Sequence, residues 1–132
     1  MARRVTGIGG VFFRSKNPKR LANWYRQHLG LEVTTEGGQT FSEFRWKPTG
    51  RNRRAAATIW APFPTRTRYF GAMRQPFMIN YIVENLDRTL RALRKERVEV
   101  VGGVEKSEFG RFAWIRDGDG HRVELWEPSR PK

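Results

Sequence analysis

Hydrophobic and polar positions along this chain change period several times, and the changes come in the same order twice. Gly10–Arg14 (Gly-Val-Phe-Phe-Arg) reads as a short strand, and Asn17-Pro18 then opens a helix with asparagine as N-cap and proline at the first helical position. Leu21, Trp24, Tyr25 and His28 fall on one face of that helix at 3.6-residue spacing, and Gly30 ends it. Three strands are expected after it, at Leu31–Thr35, Phe41–Lys47 and Ala55–Ala61. The second half repeats the order. Met78–Val83 predicts a strand, and Leu86, Leu90 and Leu93 form the apolar stripe of a helix over Leu86–Glu96. Strands follow at Val98–Val101, Arg111–Arg116 and Arg122–Glu127, the last two joined by the turn Asp117-Gly118-Asp119-Gly120. Each half therefore reads β-α-β-β-β. Residues 1–62 form the first unit, 63–76 a proline-bearing linker, and 77–132 the second unit.

A worn internal repeat supports the doubling. Ala57-Thr58-Ile59-Trp60-Ala61-Pro62 aligns with Val123-Glu124-Leu125-Trp126-Glu127-Pro128 at an offset of 66, Leu31-Glu32-Val33 with Val98-Glu99-Val100 at 67, and Phe44-Arg45-Trp46 with Phe112-Ala113-Trp114 at 68. Three matches in one order at nearly one offset mark a duplicated supersecondary unit, with the drift absorbed in loops.

Composition narrows the chemistry. The absence of cysteine excludes disulfides, thiol nucleophiles and cysteine metal clusters. Neither a signal-peptide pattern nor an apolar run of the roughly 20 residues a membrane helix needs is present, so a cytoplasmic protein with no membrane partner is expected. The net charge of +13 is lopsided: residues 1–68 carry 14 basic and 3 acidic side chains, residues 69–132 carry 12 and 10. That excess reads as a solvated basic surface or as preference for an anionic partner. Nucleic-acid contact would use Arg3, Arg4, Lys16, Lys19, Arg20, Arg51, Arg53 and Arg54, but no nucleic-acid-binding motif accompanies them.

The stretch Asn17-Pro18-Lys19-Arg20-Leu21-Ala22-Asn23-Trp24-Tyr25-Arg26-Gln27-His28-Leu29-Gly30-Leu31 resembles the first helix of the vicinal-oxygen-chelate superfamily (glyoxalase I, bleomycin-resistance proteins, extradiol dioxygenases). Asp117 to Pro128 resembles its C-terminal Asp-Pro-x-Gly-x-x-x-Glu-Leu-Trp-x-Pro, with Gly118 where proline is usual. The resemblance implies an α+β fold of two tandem βαβββ modules forming a curved mixed sheet, a half-barrel, around a groove with helices outside. It implies one metal ligand from the first and one from the last strand of each module, and a homodimer as the default assembly. Its last ligand falls on Glu124. The repeat then gives Thr58 as partner, and the strand-to-helix turns give Gly10 and Met78. One carboxylate, a hydroxyl and a thioether do not make a divalent-cation site, so no metal and no cofactor are expected.

Strand alternation assigns the remaining groove positions. Arg122 and Trp126 follow Glu124, Asn80 follows Met78, Phe12 and Arg14 follow Gly10, Trp60 follows Thr58, and Phe112 and Trp114 share a face, with Phe44 and Trp46 their repeat partners. These aromatics either line a site for a flat small molecule or fill the groove. Glu124, shielded by tryptophans, is a candidate general base with a raised pKa, or else a partner in an arginine salt bridge. A metal-independent small-molecule binder for a neutral or anionic, partly aromatic ligand and a metal-independent lyase or isomerase using Glu124 are the two leading expectations.

Overall fold

A computed structural model describes residues 4–47, 57–71 and 75–129. β1 (Val5–Ser15) and β5 (Phe77–Val83) pair antiparallel at the centre of an eight-stranded sheet, each carrying its own half outward. The strand order β2-β3-β4-β1-β5-β8-β7-β6 is a mirror of itself about that pair. In the first half, α1 (Pro18–Leu29) crosses from β1, then β2 (Thr34–Glu36), β3 (Gln39–Arg45) and β4 (Ala57–Pro64) return so that β4 lies parallel to β1. In the second, α2 (Leu86–Lys95), β6 (Val100–Ser107), β7 (Gly110–Arg116) and β8 (Arg122–Pro128) repeat the path, with β8 parallel to β5. The sheet is open, mixed and curved, as the doubled pattern requires.

The caps follow from local chemistry. Asn17 and Asn85 each accept a backbone N–H three residues on, at 3.1 and 2.9 Å, satisfying one orphan donor at each helix start. Gly30 closes α1 in the left-handed region at φ 70°, where a side chain would be strained. Strand ends differ from the sequence expectation by a few residues. β1 begins five residues earlier, because the glycine-rich Gly7-Ile8-Gly9-Gly10 continues the ladder through two bulges instead of ending it. Residues 55 and 56 of the expected fourth strand lie outside the described residues, as do Arg3, Arg51, Arg53 and Arg54 of the basic set. Of the other basic residues, Arg4 is bonded to Glu96 through both terminal nitrogens, and Lys16, Lys19 and Arg20 are exposed.

Two apolar clusters lie on opposite faces of the sheet. Leu86 and Leu90 of α2 bury against Val83, Ala113, Val123 and Leu125, with Tyr81, Leu93 and Ile115 at the margin. Phe12, Ala61, Phe70, Met78 and Trp114 form the second cluster on the concave face. α1 is the looser of the two helices. Ala22 is its buried residue, and the expected Leu21-Trp24-Tyr25-His28 face is only partly used: Tyr25 packs on Trp60, while Trp24 stacks on His28 at the surface.

Candidate functional site

A single register row runs across the concave face. Glu43 pairs with Ile59, Ile59 with Gly10, Gly10 with Asn80, Asn80 with Glu124, and Glu124 with Trp114. The row fixes which side chains meet. Glu124, 1% exposed, receives Asn80 Nδ2 on Oε1 at 2.6 Å and Trp114 Nε1 on Oε2 at 2.9 Å. Its third donor is the hydroxyl of Tyr69, also on Oε2. Burial pushes the Glu124 carboxyl above its ordinary value; the three donors and the positive charge of Arg122 oppose that shift without cancelling it. Burial and the neighbouring carboxylate push the Tyr69 phenol far up, so it stays a neutral donor.

Tyr69 belongs to residues 65–71, which follow β4 and fold back over the groove. The segment is held by Arg14, which donates from Nε to Gln75 O and from Nη1 to Thr65 O and Thr67 O, each at 2.8 Å, and lies 5.0 Å above the Phe70 ring. Phe70 is fully buried beneath it. Gln75 ties the far end down, accepting Arg122 N at 2.6 Å and donating to Arg122 O at 2.8 Å and Phe77 O at 2.7 Å. This strap is a component that strand alternation could not supply, because its residues belong to no strand. The signal for it in the sequence was the aromatic pair Tyr69-Phe70 directly after the polar run Thr65-Arg66-Thr67-Arg68.

The structure divides the expected groove residues. Phe12, Met78, Asn80, Phe112, Trp114, Arg122, Glu124 and Trp126 share the concave face: Phe112 stacks on Trp126 at 5.9 Å, and the Arg122 guanidinium sits 5.3 Å from the Trp114 ring centroid. Arg14 is on that face too, but its guanidinium holds the strap rather than offering itself to a ligand. Phe44, Trp46, Thr58 and Trp60 are corrections. Trp60 packs on Phe13 and on Tyr25 of α1, the helix side of the sheet, and its pairing with Ser42 and that of Thr58 with Phe44 put all of these on the same side. Trp46 covers Gly7 and donates to Thr58 Oγ1 at 3.0 Å, and Thr58 in turn donates to Ile8 O at 2.6 Å. The likeness of Thr-Ile-Trp-Ala-Pro to Glu-Leu-Trp-Glu-Pro placed the two tryptophans at equivalent positions. The backbone register instead equates Glu124 with Ile59, one residue along, and a one-residue slip exchanges the faces of a strand. On β5 the row passes through Asn80 rather than Met78.

Glycines make the row possible. A Cβ on Gly9 would lie 2.3 Å from Asn80 Oδ1, 2.8 Å from Trp126 and 2.9 Å from Ile82, so the bulge in β1 lets these three side chains settle on bare backbone. Two buried polar atoms in this layer, Asn80 Oδ1 and Arg122 Nε, have no hydrogen-bond partner.

The profile of the Glyoxalase/Bleomycin resistance protein/Dioxygenase superfamily matches residues 7–125. The chain belongs to that superfamily. No curated protein sequence matches it. Among solved structures, methylmalonyl-CoA epimerase from Mycobacterium tuberculosis aligns over 98% of this chain and 92% of its own with a TM-score of 0.68 and 20% identity. A methylmalonyl-CoA epimerase in complex with methylmalonyl-CoA and NH4+ aligns over 96% and 99%, with a TM-score of 0.68 and 14% identity. A structure described as the NAD-dependent benzaldehyde dehydrogenase from Legionella pneumophila aligns over 91% and 98%, with a TM-score of 0.59 and 15% identity. At these identities the likeness is one of fold.

The divalent-metal site used by metal-dependent superfamily members does not fit the residues at this place. The row offers Ile59, Gly10, Asn80 and Glu124, one carboxylate and one amide oxygen, and both Glu124 oxygens already accept from neutral donors. No cluster of three or more His, Cys, Asp and Glu side chains suited to a metal occurs among the described residues. His121 bonds Asp117 at 3.0 Å beside the β7–β8 turn, and His28 lies on the outer face of α1.

Proposed function

We propose that this protein is a metal-independent small-molecule-binding member of the superfamily, taking a neutral or anionic, partly aromatic ligand in the concave groove. The observation that carries the reading is the Glu124 cluster: a carboxylate saturated by Tyr69, Asn80 and Trp114, walled by aromatic rings, with Asn80 Oδ1 and Arg122 Nε left unpartnered in the same layer. Buried polar atoms without partners are rare in folded proteins and are natural points for a ligand's polar groups. No helix of the described residues is long and apolar enough to cross a membrane. Aqueous metabolites are the ligand pool we favour, and a cytoplasmic setting is part of the proposal. A homodimer is the assembly we propose. Ile8, Trp24, Leu29 and Phe44 of the first half are exposed apolar side chains that pairing would cover.

A thermal-shift screen of aromatic and acyl metabolites tests the reading, with and without chelator. A ligand at 100 times its Kd stabilises by about 2.7 kcal/mol, several degrees for a chain this size. The reading requires that the shift survive chelation and vanish in Asn80→Ala. A shift that needs an added divalent cation sinks it.

A second reading, a lyase or isomerase with Glu124 as proton acceptor, draws on the raised Glu124 pKa. In the closed arrangement no face of that carboxylate is open to a substrate, so turnover would require Tyr69 to withdraw.

A further inference from the structure

Tyr69 occupies the groove in the manner of a ligand. Its ring stacks on Phe63 at 5.4 Å and 7°, meets Trp114 edge-on at 6.3 Å and Phe12 edge-on at 6.4 Å, and its hydroxyl donates into the buried Glu124 carboxylate. Three walls and a polar floor thus hold one six-membered ring. The fourth side is open: Tyr69 is 38% exposed, whereas Phe70 beside it is 0% exposed. The strap is anchored by Phe70 and by the three Arg14 bonds, none of which involves the Tyr69 side chain. Rotation of that one side chain toward solvent empties the box without unfastening the strap.

We propose that Tyr69 is a side-chain gate standing in the ligand's place, and that the ligand is a neutral aromatic ring carrying one O–H or N–H donor. The proposal rests on the groove-binding reading above and narrows it. The charges acting at the Tyr69 hydroxyl decide the class: among the described residues, Glu124 and Glu105 are negative there and Arg122 is positive. An anionic substituent would face Glu124 at hydrogen-bond distance, and a ring with no donor would leave Oε2 one bond short in a buried place. A phenol-like or aniline-like group restores what Tyr69 gives up when it leaves.

Closure competes with the ligand, so the apparent affinity falls by the fraction of molecules in which the gate is open. Weakening the gate must therefore tighten binding, the reverse of what loss of a contact residue does.

The test is titration of p-cresol, the tyrosine side chain as a free molecule, into wild type, Tyr69→Phe and Tyr69→Ala, followed by calorimetry and by aromatic NMR shifts. Toluene and 4-methylbenzoate serve as ring probes without a donor and with a negative charge. Removing a hydrogen bond to a charged group shifts the closing equilibrium by roughly tenfold or more, so p-cresol should bind Tyr69→Phe about tenfold tighter than wild type. Tyr69→Ala should bind it tighter still, and toluene and 4-methylbenzoate at least roughly tenfold more weakly in every protein. Tyr69→Phe keeps the ring and so remains informative should the alanine variant fold poorly. Equal p-cresol affinity in wild type and Tyr69→Phe overturns the gate. Equal binding of toluene and p-cresol overturns the donor requirement. If instead an anionic metabolite from the screen binds wild type in an Asn80-dependent way while p-cresol does not, the ligand class fails and the groove-binding reading stands. If no compound binds wild type or either Tyr69 variant, that reading falls and takes the gate with it.

Discussion

Replacing Glu124 with glutamine keeps the shape of the buried group and removes its charge, which makes it the sharpest probe of the site. Oε2 accepts from Tyr69 and Trp114, so the glutamine carbonyl oxygen takes that position. The glutamine nitrogen then faces Asn80, whose amide can turn over to present Oδ1, the atom that now lacks a partner. Three hydrogen bonds survive, all between neutral groups, and the number of unpartnered amide atoms is unchanged. Charged hydrogen bonds contribute about 1.5–3 kcal/mol each and neutral ones about 0.5–1.5, so the exchange forfeits roughly 3–4 kcal/mol. Against that stands the desolvation of a buried carboxylate, of order several kcal/mol. Because burial is the largest influence on Glu124 and leaves its pKa raised, desolvation wins. Glu124→Gln should therefore be more stable than wild type by on the order of 1 kcal/mol at pH 8, about 3–5 °C in Tm.

The pH dependence carries the sign. A carboxyl whose pKa is higher folded than unfolded binds more protons in the folded state between those two values. Stability from this group is then fully present below the unfolded pKa and is lost as pH rises through the folded one. Urea denaturation of both proteins from pH 4 to pH 8 at fixed ionic strength isolates Glu124, since other groups cancel in the difference. Wild type should match or exceed the variant at low pH and fall behind it as pH rises. If wild type gains on the variant with rising pH, the three donors outweigh burial and the electrostatic reasoning is wrong.

Three other outcomes follow from the packing. Gly9→Ala drives a methyl into Asn80, Trp126 and Ile82 together, so urea midpoints should report a loss of about 1–3 kcal/mol or more. Arg14→Leu removes the three Arg14 side-chain bonds to the strap, so amide exchange over residues 65–71 should quicken while the β5–β8 amides keep their protection. Trp60→Ala should loosen α1 at a cost of about 2 kcal/mol yet leave groove ligands bound as before; a lost ligand would put Trp60 back on the concave face.

The duplication and both helices were legible because they rest on period and order. Leu86, Leu90 and Leu93 can stripe a helix in only one way, and Asn17-Pro18 can scarcely do other than begin one. Facing was legible only where the strand carried its own alternation. In β8 the apolar Val123 and Leu125 point to α2, leaving Arg122, Glu124 and Trp126 for the groove. In β4, Thr58-Ile59-Trp60-Ala61 alternates nothing polar against apolar, so its facing was borrowed from the repeat, and an offset of one residue inverted it. Tyr69 escaped for a different reason. Its position depends on where a loop folds, fixed by bonds and contacts from that loop to Arg14 and Arg122 in distant parts of the chain.

Glu124 in this setting inverts the logic of a metal ligand. A carboxylate that binds a cation is kept ionised by the cation's charge; here ionisation rests on three neutral donors and on Arg122, whose guanidinium is spent mainly on the Trp114 face. Neutral donors are easily exchanged for other neutral donors, whereas a metal ion is not. Of the three, Asn80 is 2% and Trp114 4% exposed, whereas Tyr69 is 38% exposed, so Tyr69 is the donor with a path to solvent. A site built this way is suited to recognising a molecule that donates one hydrogen bond from an aromatic frame.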